Sequence, residues 1–344
     1  MAKEIHAYQA HTQEGILLNA NESWEGLDIE TIAQIQKELP SVLFHRYPQD
    51  DQSRLYQAYA NLMGLDTDTI MAGNGSDALL GLMIGNFCSK GKKVYTLLPD
   101  FSMYDYYASN YEATLEKFIC QEDGSLDVDA FIQEGKEKDV NLIVFSNPNN
   151  PTGHCLKKEQ VLQIVESFPN IPVIVDEAYM DFSNQSVMDQ INNYSNLYVT
   201  RTLSKAYGLA GIRIGFVISQ KENIDVLKQT RVPYSVNRLS QLVASIALEN
   251  AQQFGMRIQQ TIFFRDEMLN KLSLLRGITI YESQANFLYG KAENKTLLMD
   301  MMEQAGIVIR DFKGTNYFRF SLGSKDENEK VLQVFMNYAK ETLR

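Results

Sequence analysis

Short, fully apolar runs alternate with helix-like patterns through the middle of the chain. Runs that lack the polar positions of a half-exposed strand are typical of strands buried on both faces of a mostly parallel sheet. The predicted strands lie at residues 69–72, 94–98, 142–146, 173–176, 197–200 and 214–219. Helices are predicted between them, for example at 76–87 and 157–168. This alternation predicts an α/β fold, in which helices flank the sheet.

Beyond Asn237 the apolar positions recur at helical spacing, and a second long helix is expected to run to about Leu275. Shorter strands and helices follow and predict a smaller unit. We therefore expect an α/β fold with a large domain, whose mostly parallel (mixed) sheet is flanked by helices, plus a smaller α+β domain from the N- and C-terminal segments. The predicted divisions are an N-terminal arm with part of the small domain at 1–40, the large domain at 41–250 and the small domain at 251–344.

Composition excludes several classes of partner. The net charge is −11 over 344 residues, with no basic block, which argues against nucleic acid and anionic membrane surfaces. No run approaches the roughly 18 apolar residues of a membrane span. The histidines show no metal-ligand spacing, so no metal site is predicted. Because Cys88, Cys120 and Cys155 are odd in number and scattered, we expect no disulfide framework and a cytoplasmic location.

Lys205 lies in the segment TLSKAYGLAG, at 202–211, among small residues that leave room for a bulky group. A desolvated lysine near other cations has a lowered pKa and becomes a nucleophile that forms a Schiff base with an aldehyde. Thr202, Ser204 and Arg213 supply the hydroxyls and the guanidinium that a phosphate needs. An aldehyde and a phosphate on one molecule suggest pyridoxal phosphate. The alternative is an ordinary exposed lysine in a glycine-rich turn.

Ligands of open α/β sheets gather at the carboxyl ends of the strands. Asp176 ends one predicted strand, where a buried carboxylate needs a cation such as a protonated pyridine nitrogen. The alternatives for Asp176 are a helix N-cap and a structural ion pair with an arginine. Asn150, in the loop NPNNPTG at 147–153, and Tyr179 could both donate to the phenolic oxygen of the cofactor, although the loop could also be a plain turn.

Two more predicted strands end in candidate residues. The segment GNGSDA, at 73–78, begins a helix, so the backbone at Ser76 and Asp77 could bind phosphate, with the Asp77 side chain turned away or onto another donor. The same segment fits the dinucleotide fingerprint GxGxxA with Asp100 downstream, which suggests an NAD(P)-dependent oxidoreductase as a rival. Phe101 could stack on the pyridine ring or belong to the core.

Taken together, these residues make the chain resemble the fold-type-I, pyridoxal-phosphate-dependent aminotransferases of class I/II, most closely the histidinol-phosphate aminotransferase group. The resemblance covers nearly the whole chain. Its motifs are LNANE at 18–22, RYP at 46–48, GNGSDALL at 73–80, PDFSMY at 99–104, SNPNNPTG at 146–153, VDEAYMDF at 175–182, RTLSKAYGLAGIRIGF at 201–216, VNRLSQ at 236–241, QANF at 284–287 and FRFSLGS at 318–324.

The resemblance implies a role for each matched residue. Lys205 would carry the cofactor, with Asp176 at the pyridine nitrogen, Asn150 and Tyr179 at the ring oxygen and Phe101 on the ring. The phosphate would be held by Ser76, Asp77, Thr202, Ser204 and Arg213. Tyr47 looks like the tyrosine that reaches the phosphate from the other subunit, which implies a homodimer with shared sites.

The substrate side is less closely matched. Arg319 is similar to the arginine that grips a substrate α-carboxylate, and Arg310 could receive a substrate phosphate. Asn21 and Tyr8 are the other predicted substrate residues. The chain departs from the family at Ser23-Trp24, where a proline and often an aromatic residue are usual, and at Phe101, where tyrosine is common.

The expected reaction is transamination from histidinol phosphate to 2-oxoglutarate, as in histidine biosynthesis. An arginine that holds a carboxylate near the ring plane exposes the Cα–H bond and so favours transamination over decarboxylation. The alternatives are an aromatic amino acid aminotransferase and a threonine-phosphate decarboxylase. Two alternatives are more distant: the NAD(P) enzyme and a non-catalytic regulatory protein. The regulatory protein would be expected to lack Lys205 or to carry a basic extension.

Overall fold

The computed structural model describes residues 14–48 and 52–342. Its strands are β1 (Ile16–Leu17), β2 (Ile70–Asn74), β3 (Lys93–Leu98), β4 (Thr114–Ile119), β5 (Leu142–Ser146), β6 (Val173–Asp176), β7 (Leu197–Thr202), β8 (Ile214–Ile218), β9 (Ile278–Ile280), β10 (Phe287–Ala292), β11 (Ile307–Val308), β12 (Arg310–Asp311) and β13 (Tyr317–Ser321). Its helices are α1 (Ile29–Glu38), α2 (Ser53–Met63), α3 (Gly75–Phe87), α4 (Met103–Asn110), α5 (Val128–Glu137), α6 (Lys158–Ser167), α7 (Lys221–Thr230), α8 (Arg238–Glu249), α9 (Gln252–Leu272), α10 (Lys295–Gln304) and α11 (Lys325–Glu341).

The large sheet has seven strands in the order β2-β8-β7-β6-β5-β3-β4. Only β8 runs antiparallel to its neighbours. The central strands are buried along their whole length, as their apolar runs predict. The predicted α/β fold class, with a mixed sheet flanked by helices, is confirmed. The carboxyl ends of β2, β3, β5, β6 and β7 therefore meet at one edge of the sheet, where β8 begins.

Strand β4 was not among the predicted strands. Its sequence TLEKFI contains two charged residues, and its side chains are half-buried or exposed. Because β4 pairs only with β3 at the end of the sheet, it does not need the apolar run that marks the central strands.

The order of the strands contradicts the dinucleotide interpretation of the segment at 73–78. In that interpretation β2 and β3 would form one parallel βαβ unit around the glycine-rich turn. Instead β2 pairs with β8, and four strands separate β2 from β3. Asp100, which follows β3, accordingly lies away from the start of α3 and cannot bind the ribose of a nucleotide held there.

The smaller unit is built from both ends of the described chain. Its sheet has the order β12-β13-β10-β9, and β1 pairs in parallel with β11. Leu18 from the N-terminal segment packs in the same core as Phe318, Phe320 and Phe335. Helix α9 begins beside the large core at Phe254 and ends in this smaller core. The smaller unit thus has a core of its own, apart from the two apolar clusters that contain the strands of the large sheet, while the exact domain divisions stay predictions.

Candidate active site

Lys205 lies in the loop after β7, at the edge where the strand ends meet. Its amine donates a hydrogen bond to the backbone oxygen of Ala20 over 2.7 Å and lies 6.0 Å from the centre of the Tyr179 ring. Burial lowers the pKa of Lys205 from 10.5 to about 8, and the positive charge of Arg319 acts in the same direction. The unprotonated amine, which is the form that attacks an aldehyde, is therefore more populated near neutral pH than it is in an ordinary lysine.

Asp176 lies at the end of β6 and is 3% exposed. Its carboxyl accepts hydrogen bonds from Tyr104 Oη at 3.0 Å and from Thr200 Oγ1 at 2.8 Å. Burial raises the pKa of Asp176 from 3.8 to about 6. Among the described residues, Asp176 has no ion pair with a basic side chain, so the alternative of an arginine pair is wrong. The helical turn that follows, Met180–Phe182, has Tyr179 as its N-cap, so the alternative of a helix N-cap is wrong as well.

Three chain segments bring together the residues predicted to hold the phosphate, which we call the phosphate cradle: Ser76, Asp77, Thr202, Ser204 and Arg213. Ser204 N and Ser204 Oγ lie 3.1 and 3.0 Å from Thr202 Oγ1, and Arg213 donates to Ser204 Oγ at 3.4 Å. Ser76 and Asp77 open α3 beside them, where the N-terminal N–H groups favour an anion. The Asp77 carboxylate lies on another donor, Arg213, at 3.2 Å.

The small unit contributes Arg319 to the same site. Arg319 is buried, donates to the side-chain oxygen of Asn150 and donates to the backbone oxygen of Asn19 at 3.0 Å. Because the side-chain oxygen of Asn150 accepts from Arg319, its NH₂ group is the part that could donate to a ring oxygen of the cofactor. Tyr179 Oη, the second predicted ring contact, accepts a hydrogen bond from Asn21 Nδ2 at 2.9 Å. Each residue predicted for the ring oxygen is therefore bonded to a residue predicted for the substrate: Asn150 to Arg319, and Tyr179 to Asn21.

Arg310 lies directly opposite Arg319 across β12 and β13. Directly paired residues of antiparallel strands point to the same face, so both guanidinium groups are on the side that bears Asn150. Arg310 is half-buried and lies over the Phe312 ring at 6.0 Å. The pair places two positive charges where a dianionic substrate could bind.

The remaining predicted residues are Phe101, Tyr47 and Tyr8. Phe101 is half-buried and packs edge-on against Tyr104 at 5.7 Å. Tyr47 is 78% exposed and stacks on Tyr234 at 5.0 Å. Tyr8 lies outside the described residues.

The sequence did not predict several residues that hydrogen-bond the site residues. Tyr104 and Thr200 hold Asp176, Asn19 and Ala20 provide backbone acceptors, and Ser146 bonds the Asn150 N–H. Thr200 could have been found from the alternation of side chains along β7. Residues paired across parallel strands share a face of the sheet, and Asp176 pairs with Thr200.

Two features of this structure show that the site residues fit pyridoxal phosphate: the surroundings of Asp176 and the glycines of the phosphate cradle. Asp176 is a buried carboxylate that lacks a cationic partner among the described residues, as a pyridinium site requires. The phosphate cradle has room only because two of its residues are glycines. A Cβ at Gly75 would lie 2.7 Å from Arg213 Nη2, and one at Gly215 would lie 2.2 Å from Ser76 N. Bound there, the cofactor would supply an electron sink for the bonds at the substrate carbon.

Comparison with known proteins agrees with this site. The family model for aminotransferase class I and II matches residues 13–335, and the chain belongs to that family. This membership confirms the prediction of a pyridoxal-phosphate-dependent transaminase. The chain is 35% identical to histidinol-phosphate aminotransferase of Clostridium novyi, over 96% of this chain and 94% of that protein. It is 33% identical to the protein of the same name from Pyrococcus furiosus, over 95% and 93% of the two chains.

Solved structures show the same fold. The histidinol-phosphate aminotransferase of Sinorhizobium meliloti, solved with pyridoxal-5'-phosphate, superposes with a TM-score of 0.87 at 22% identity, covering 96% of this chain and 92% of that one. The L-threonine-O-3-phosphate decarboxylase of Porphyromonas gingivalis superposes with a TM-score of 0.80 at 22% identity, covering 94% and 99%. In the described part of the chain, no helix is long and apolar enough to cross a membrane.

Proposed function

We propose that the protein transfers the amino group of histidinol phosphate to 2-oxoglutarate, with the predicted site residues in their predicted roles. The observation that carries the proposal is the position of Lys205, whose half-buried amine has a lowered pKa, donates to Ala20 and lies over the Tyr179 ring, with the charge of Arg319 acting on it. The identity of the amino donor rests on the relatives of that name, which are 32–35% identical.

The residues of this chain divide the work of the reaction. Asp176 would hold the ring nitrogen of the bound cofactor in its protonated form, and Asn150 and Tyr179 would contact the ring oxygen. Lys205 moves the proton at the substrate carbon, because its amine has a pKa near the working pH. Arg319 and Arg310 orient the anionic groups of the two substrates.

A homodimer with shared sites is part of this proposal. Tyr47 is exposed beside the half-exposed Tyr234, and Phe44 in the same segment is 73% exposed. Aromatic side chains of this kind are typical of buried contacts between subunits. Tyr47 would then complete the phosphate site of the second copy. The predicted cytoplasmic location belongs to the proposal as well.

The decisive experiment uses the visible absorbance of the cofactor bound to Lys205. Borohydride reduction followed by peptide mapping should locate the modification at Lys205, and Lys205→Ala should lose both the label and turnover. Histidinol phosphate should then bleach the band of the unmodified enzyme, and 2-oxoglutarate should restore it. Bleaching by tyrosine or phenylalanine alone would instead identify an aromatic aminotransferase. Release of carbon dioxide from threonine phosphate would identify a decarboxylase.

Arg310 provides a matched test of the phosphate assignment. Arg310→Ala should raise KM for histidinol phosphate far more than KM for an aromatic amino acid, because only the first carries a phosphate. Arg276→Ala, in the turn before β9, is the control and should change neither KM. Equal losses for both donors in Arg310→Ala would contradict the role given to Arg310.

A further inference from the structure

One carboxyl group, that of Asp100, connects two loops of the active site. Asp100 follows β3, and Ser146 ends β5, the strand that pairs with β3. Asp100 Oδ1 accepts the backbone N–H of Phe101 at 2.7 Å and is bonded to the hydroxyl of Ser146. Asp100 Oδ2 accepts the backbone N–H of Ser146 at 3.2 Å. The loop that carries Phe101 is thus fixed to the loop that begins at Ser146.

The connection continues to Asn150. Ser146 Oγ accepts the backbone N–H of Asn150 at 2.9 Å, while the side-chain oxygen of Asn150 receives Arg319. The two loops have a second link, in which Asn149 Nδ2 donates to the backbone oxygen of Pro99 at 3.1 Å. A continuous set of hydrogen bonds therefore runs from Asp100 through Ser146 to the asparagine that contacts both cofactor and substrate arginine.

We propose that Asp100 is a positioning residue for the reaction: through Ser146, it fixes the Asn150 amide in the orientation that contacts the cofactor. The proposal rests on the role given above to Asn150. Asp100 also accepts the backbone N–H of Phe101, the residue predicted to stack on the ring. The part of its effect that passes through Ser146 is expected only where Asn150 is present.

The chemistry of a carboxyl group suits this position in either protonation state. Burial raises the pKa of Asp100 from 3.8 to about 8, and the charge of Asp176 acts in the same direction. Tyr104 and Cys120 are the other titratable groups close to it. When ionised, Oδ1 accepts the Ser146 hydroxyl proton, and when protonated, Oδ1 donates to the same oxygen. An amide in its place would leave one backbone N–H facing an NH₂ group, whichever way it turned.

The test is a double-mutant cycle on cofactor affinity, measured as the dissociation constant of pyridoxal phosphate from the apoenzyme. Asp100→Ala and Asn150→Ala should each weaken binding by about tenfold. The loss in the double variant should fall well short of the product of the two single losses, because both variants disturb the contact that runs through Ser146. Asp105→Ala is the control. Asp105, on α4, forms an ion pair on the surface with Lys117, on β4. The control variant should leave the affinity unchanged in both backgrounds.

Independent effects, in which the losses of the two single variants multiply, would overturn the proposal, as would an unchanged affinity in Asp100→Ala. Ser146→Ala keeps the backbone bond to Asp100 and removes only the hydroxyl, so it guards against misfolding of Asp100→Ala. It should show the same non-additivity with Asn150→Ala. Because this measurement needs no amino donor, the positioning role can hold even where histidinol phosphate is found not to react.

Discussion

Asp176 and Glu177 are consecutive buried carboxyl residues with opposite surroundings. Glu177 is fully buried, bonds Arg201 at 3.1 Å and accepts hydrogen bonds from Ser186 and Val187. Asp176 has only neutral hydrogen-bond partners among the described residues. The difference follows from β7, where Thr200 and Arg201 point to opposite faces and meet Asp176 and Glu177 respectively.

Glu177 and Asp176 show how a buried carboxylate with a structural role differs from one that is available to a ligand. A buried carboxylate with its cation inside the protein is already compensated, whereas one without it is costly until a cation arrives. Burial raises the pKa of both groups, but Arg201 opposes the shift only at Glu177. We therefore expect Asp176, and not Glu177, to be the carboxyl that pairs with a protonated cofactor ring.

The largest effect is expected for Asp176→Asn. Removing the charge that faces the cofactor should lower kcat/KM by at least about a hundredfold, the size found for single electrostatic groups in active sites. The same change should stabilise the apoenzyme, because an uncompensated buried charge is lost. Steady-state kinetics and unfolding of the apoenzyme measure the two effects. If Asp176→Asn kept kcat/KM within tenfold of the parent enzyme, Asp176 would not be the carboxyl that serves the cofactor.

Glu177→Gln should produce the reverse pattern. It leaves Arg201 buried with Asp181, at 2.8 Å, as its remaining acidic partner. Breaking a buried ion pair costs about 3 to 5 kcal/mol of unfolding free energy, and the shared Asp181 places the expected loss at the lower end. Denaturant unfolding of the apoenzyme checks this value. Unchanged stability with reduced cofactor affinity would mean that Glu177, too, serves the ligand site.

The stability contribution of Asp176 should also depend on pH. The folded pKa of Asp176, about 6, lies above its unfolded value of 3.8. Its contribution to stability is therefore fully present below about pH 4 and is lost as the pH rises through 6, by roughly 2 to 3 kcal/mol. The stability difference between parent and Asp176→Asn apoenzymes should fall along this slope between pH 4 and 7. A flat difference would show that Asp176 titrates normally.

The smallest effect is expected at the half-exposed pair of Asp77 and Arg213, whose side chains are 38% and 44% exposed. Exposed pairs contribute about 0 to 1 kcal/mol, so Asp77→Asn should change the unfolding free energy by less than that. Cofactor affinity should be kept or improved, because a carboxylate next to a phosphate is removed. A tenfold loss of affinity, measured by titration of the apoenzyme, would mean that Asp77 holds Arg213 in place for the phosphate.

The central strands and much of the candidate site could be predicted from local sequence. The strands at 142–146 and 173–176 have the predicted bounds, because burial on both faces demands an unbroken apolar run. Lys205 and Asp176 could be singled out because each stands at a strand end where a charge is unusual. The edge strand β4 gave no such signal, since its exposed face accepts charged residues.

The sequence by itself determined which chemical groups stand at the strand ends, since this depends only on neighbours along the chain. Tertiary structure alone decided their partners: Tyr104 for Asp176, Arg213 for Asp77 and Arg319 for Asn150. These contacts depend on the sheet order, which places β2 beside β8 and not beside β3. Local apolar patterns do not encode that order, because every buried strand of the sheet satisfies the same pattern.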